Sequence, residues 1–101
     1  PDAISNQANG IVLVFSLYRN GKAEDVSIST FYVSKKEVEL LDGAPHFFFM
    51  GINAGFSVLG AKYIYISDTE ISGHEGNDQT GSNNGLTFNN ASFVLRYVLG
   101  V

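Results

Sequence analysis

IVLVFSLY, residues 11–18, followed by Arg19-Asn20-Gly21, is the stretch that decides the fold class. It is rich in β-branched and aromatic residues, which suit a pleated, half-buried surface better than a helix. Its odd positions place Ile11, Leu13, Phe15 and Leu17 on one face. Asn20-Gly21 then supplies two residues that tolerate positive φ, the strongest short signal for a tight hairpin. A buried strand entering a two-residue turn predicts an antiparallel β domain.

The stretches that follow repeat this pattern. VSISTFYVS (26–34) predicts a second strand, with Val26, Ile28, Thr30 and Tyr32 alternating with Ser27, Ser29, Phe31 and Val33. KKEVELL (35–41) fits either a helical turn or a polar-edged strand, with the strand preferred. HFFFM (46–50) puts aromatic rings on both faces, so one face needs a core and the other a second sheet or another subunit. The sandwich core is the plainer use for the Phe run. GINAGFSVLGA (51–61) suggests an irregular strand with a bend or bulge. KYIYISDTEIS (62–72) predicts one regular strand, with Tyr63 and Tyr65 on one face and Ile64 and Ile66 on the other. LTFNNASFVLRYVLGV (86–101) gives a short strand, a turn at Asn89-Asn90 and a last strand. Phe93, Leu95, Tyr97 and Leu99 are expected on one face of that strand, and Arg96 on the other. The expected architecture is an all-β antiparallel sandwich or barrel of about six to eight short strands. Residues 1–10 are expected to be a linker remnant before a single β domain over 11–101, cut from the carboxy-terminal part of a longer protein.

Composition narrows the function. The 101 residues are the size of one domain, and 45% hydrophobic content can fill a core. A net charge of −4 with six Lys and Arg argues against nucleic acid as a partner. There is no cysteine, which excludes disulfides, thiolate metal sites and cysteine nucleophiles. The apolar runs are too short to span a bilayer as a helix, so no membrane partner is expected.

Catalytic patterns are weak. Gly55-Phe56-Ser57-Val58-Leu59 misses a nucleophile elbow because Leu59 stands where glycine is required. Asp68 and Glu70, two apart on the 62–72 strand, are expected to form a same-face acidic pair, and either of them with Glu75 suggests a small glycan hydrolase as an alternative. The plainer account is a solvated strand end. Two histidines 28 residues apart make zinc a poor fit. Glu75, Asn77 and Asp78 are hard-oxygen candidates for calcium, but the EF-hand spacing is missing, so no metal or other cofactor is expected.

SGHEGNDQTGSNNG (72–85) remains, with four of the eleven glycines and no apolar side chain. Such a composition is the commonest for a solvated connection. It also matches what a polyol ligand needs: amides, carboxylates, an imidazole, and close backbone approach at glycine. The candidate ligand-binding set is His74, Glu75, Asn77, Asp78, Asn83 and Asn84, with Tyr65 for stacking. Tyr18, Tyr32 and Tyr63 are alternative rings.

NGIVLVFSLYRNGKAEDVSISTFYVSK, KYIYISDTEISGHEGND and NNASFVLRYVLGV together resemble a carboxy-terminal module of tail-fibre and baseplate receptor-binding proteins of phages and prophages of Gram-positive bacteria. The terminal motif is the most specific part; Gly73 to Asp78 match the family's loop only loosely. The resemblance implies a non-enzymatic β-sandwich or barrel head at the virion tail tip, outside the host cell. Its implied partners are host cell-wall polysaccharide or teichoic acid, the rest of the tail, and further copies of itself in a homotrimer. A structural trimerisation or capping role is the alternative. An anionic teichoic acid suits the negative charge only if Lys35, Lys36, Lys62 or Arg96 reaches it.

Overall fold

A computed structural model describes residues 2–41, 43–52, 58–83 and 86–101. Two β-sheets pack face to face around one core, the sandwich that the strand pattern predicts. The first sheet has β1 (Gly10–Arg19) at its centre, paired antiparallel with β2 (Lys22–Ala23), β3 (Ser29–Ser34) and β9 (Phe93–Gly100). The second runs β4 (Pro45–Ile52), β5 (Val58–Ile66), β8 (Leu86–Asn89), β7 (Thr80–Asn83), with β6 (Ile71–Gly73) also on β5. Among the described residues all pairings are antiparallel except β5 with β8.

The odd face of β1 is the floor of the core: Ile11, Leu13, Phe15 and Leu17 are all buried. Asn20 (φ 54°) and Gly21 (φ 77°) make the expected left-handed turn into β2. From the opposite sheet, Phe48 and Met50 of β4 and Ile64 and Ile66 of β5 complete the core. Phe31, Phe15 and Phe48 bridge the two sheets, with ring centroids 4.9–6.1 Å apart. At Gly60 the strand backbone lies against the Phe93 ring, leaving no room for a Cβ.

Three expectations are corrected. Residues Lys35–Leu40 form a helix, α1, and not a strand. Ser34 caps it by accepting a hydrogen bond from the Glu37 amide at 3.1 Å, and Val38 turns into the core. Second, β3 begins only at Ser29, because Ser27 adopts φ 53° and interrupts the extended run. Phe31 and Val33 therefore face the core, while Val26, Ile28 and Tyr32 are exposed. Third, β9 does not keep one face throughout. Its register against β1 skips Arg96, with Val14 opposite Tyr97 and Phe15 opposite Leu95. An extra residue on one strand of an antiparallel pair is a β-bulge. Phe93 and Leu95 pack inward before it, and Val98 packs inward after it, leaving Tyr97 and Leu99 exposed. Arg96 reaches the Ser16 hydroxyl at 3.1 Å and Asp25 at 2.9 Å.

In the polar front stretch Ile4, in a 3-10 turn at Ile4–Asn6, is buried with the core. Its amide donates to the Asp68 carbonyl, and the Asp68 carboxylate accepts from the Ser5 amide and hydroxyl. Of the irregular strand expected over 51–61, Gly51 and Ile52 end β4 and Val58 to Ala61 open β5, and 53–57 lie outside the described residues.

Candidate functional site: the cleft beneath the polar loop

The 72–85 segment begins as strand. Ser72 and Gly73 belong to β6, and Glu75–Asp78 form a 3-10 turn capped by His74. The imidazole Nδ1 accepts from the Gly76 amide at 2.9 Å. That fixes Nδ1 as the acceptor and leaves Nε2 to carry the proton of the neutral ring.

Two asparagines bind this turn to the neighbouring elements. Asn77 is buried, and its carboxamide mimics a strand partner for Tyr63. It accepts from the Tyr63 amide at 2.8 Å and donates to the Tyr63 carbonyl at 3.0 Å. Asn90, from the 3-10 turn at Asn90–Ser92, accepts from the Ala61 amide at 2.8 Å and donates to the Gly76 carbonyl at 3.0 Å. The middle of the turn is therefore held by side chains that pair with backbone, as a short connection must be when sheet pairing stops.

Lys62 lies below the turn. It points inward from β5 with only 7% of its surface exposed, and its ammonium donates to the Asn77 carbonyl at 2.9 Å. Burial pulls its pKa below the ordinary 10.5, and the nearby Asp78 carboxylate opposes that shift. Lys62 lines an open cleft of about 1000 Å³ whose lining residues come from both sheets and the turns beside them. Ser72, His74, Glu75 and Asp78 line it from β6 and the turn that follows, and Tyr18 and Phe93 from the first sheet. Ser72 pairs with Tyr65 and the His74 ring lies 5.7 Å from that of Tyr63, so these two side chains lie on the outer face of the second sheet.

Comparison with family models, curated proteins and solved structures returns no match.

The expected binding residues divide into groups. His74, Glu75, Asn77 and Asp78 all line the cleft, but Asn77 is spent on holding Tyr63. Its side-chain oxygen, one of the three named calcium candidates, already accepts the Tyr63 amide. Among the described residues no three His, Asp or Glu side chains are placed to hold a metal ion. Asn83 ends β7, and Asn84 lies outside the described residues. Tyr65 sits outside the cleft, on the outer face of β5, with its ring centroid 6.2 Å from that of His74. The aromatic wall of the cleft comes instead from Tyr18, 38% exposed at the end of β1.

The acidic residues separate too. The single strand expected over 62–72 is corrected: it breaks after Ile66, and Asp68 and Glu70 occupy the turn between β5 and β6, where the Glu70 amide donates to the Ser67 hydroxyl. They line a smaller cavity of about 200 Å³ with Ile4 and Ile11, whereas Glu75 lines the large cleft. Of the four cations considered for an anionic ligand, Lys62 alone lines the cleft. Arg96 is paired with Asp25, Lys36 with Glu39, and Lys35 lines a third cavity beside α1.

Proposed function

We propose that this domain is a non-enzymatic adhesion module that binds a hydroxyl-rich saccharide in the cleft beneath the 72–78 segment. One observation carries the reading. The cleft is lined by the carboxylate residues Glu75 and Asp78, by Lys62 with its buried ammonium and, from the first sheet, by Tyr18. Sugar hydroxyls are held by such donors and acceptors, while the apolar face of a pyranose lies on an aromatic ring. Two carboxylates near the single buried ammonium make the cleft unfavourable for a strong polyanion, so a neutral polysaccharide fits better than teichoic acid. The resemblance to phage receptor-binding modules supports the cell wall of a Gram-positive host as the source of that saccharide.

Binding of the domain to purified wall polysaccharides, compared with Tyr18→Ala, Glu75→Gln and Asp78→Asn, tests this reading. Each variant is expected to weaken binding about tenfold or more, the effect of losing one buried contact or charged hydrogen bond. Tyr32→Ala, on the remote outer face of β3, is expected to bind as the native chain does. Full binding by all three cleft variants would remove the cleft from the mechanism.

A further inference from the structure

Residues 44–61 contain no Asp, Glu, Lys or Arg, although such residues make up 16% of the chain. This charge-free stretch supplies all of β4 and the first half of β5. Strand β4 is an edge of the second sheet, paired on one side only among the described residues. Its side chains alternate strictly. His46, Phe48 and Met50 are buried, while Phe47 and Phe49 point outward, 39% and 68% exposed. The two outer rings lie 4.2 Å apart, and Tyr63 extends their row at 4.3 Å from Phe47. Leu59 adds a 43% exposed side chain on β5.

An eight-residue apolar edge without a gatekeeping charge is a template for another strand. Its open N–H and C=O groups require an occupant with a matching extended backbone. A chain of net charge −4 can approach its own copy most readily where neither surface carries charge. The strand is also self-complementary. Antiparallel pairing about a two-fold axis at Phe48 sets Phe47 opposite Phe49 of the second copy, and Phe49 opposite Phe47 of that copy. Centring on Phe47 or Phe49 would instead place one outer ring opposite Pro45 or Gly51.

We propose that two copies of this chain, and not the three that the resemblance implies, associate edge to edge through β4, centred on Phe48, to form a continuous sheet with one row of outer aromatic rings. The cleft lies between the two sheets and away from this edge, so saccharide binding and self-association are separable. An interface of one strand per copy is at the small end of specific contacts, below about 1,200 Å², so the dimer is expected to be weak.

Sedimentation equilibrium at about 100 μM, the range such an interface requires, is expected to give a dimer. Phe49→Lys, which places a charge on each side of the axis, is expected to weaken dimerisation at least tenfold. The absence of native cysteine allows a second test. Mixing Phe47→Cys chains with Phe49→Cys chains is expected to yield the mixed disulfide well above either self-disulfide, because only that pair is directly opposed. The crosslink reports register even if Phe49→Lys fails to fold. A monomer at this concentration, a trimer, or crosslinking favouring 47 to 47 or 49 to 49 would overturn the proposal. So would a monomer that co-sediments with phosphatidylcholine vesicles, which would make the face a lipid contact.

Discussion

Asn77 shows how one side chain can decide what a polar segment becomes. Its carboxamide pairs with both backbone groups of Tyr63, and its carbonyl holds the Lys62 ammonium. Asn77→Ala leaves these Tyr63 groups without their partner in a partly buried site. The expected loss is about 2–3 kcal/mol of stability, read from chemical denaturation. Lys62 makes a second prediction at this scale. Its folded-state pKa lies below 10.5, so the unfolded chain binds the proton more tightly than the fold does. The resulting penalty is fully present below the folded pKa and disappears as pH rises through the window that ends at 10.5. Native stability should therefore gain on Lys62→Met stability as pH climbs through that window. Parallel stability profiles for the two proteins would contradict a buried, charge-penalised Lys62.

At the scale of elements, what could be read from sequence follows periodicity, and what could not follows tertiary bonding. Strand β1 was legible because Ile11, Leu13, Phe15 and Leu17 alternate without interruption up to a two-residue turn. The same held for Tyr63 and Tyr65 against Ile64 and Ile66. Helix α1 was harder to recognise because six residues carry almost no helical period. Its signal was Ser34-Lys35-Lys36-Glu37, an S-x-x-E capping pattern. Here Glu37 does not return to the cap but pairs with buried His46 of β4 at 2.9 Å, fastening the helix to the second sheet. Ser34→Ala should cost about 1 kcal/mol, measurable as a lowered denaturation midpoint. The bulge at Arg96 was invisible for the opposite reason. Alternation in β9 looks perfect, and only its pairing with β1 shows that a residue is skipped. The loop candidates were legible as a composition but not as a site. Nothing in the spacing says that Asn77 reaches back to Tyr63, or that Tyr18 and not Tyr65 faces the cleft.

At the scale of the whole molecule, the two sheets provide different surfaces. Their inner faces close over the core, and residues of both sheets line the cleft with Lys62 and the 72–78 segment. The outer face of the second sheet carries Phe47, Phe49 and Tyr63. A binding function in the cleft and self-association at the β4 edge can therefore coexist in one small domain. The most direct test of the binding claim is to map amide shifts by NMR during titration with a soluble neutral wall polysaccharide. Cleft binding predicts saturable shifts at Tyr18, Ser72 to Asp78 and Ala91, with β3 unaffected. Shifts confined to the outer face around Phe47 and Phe49, or no shifts with any wall polysaccharide, would contradict it.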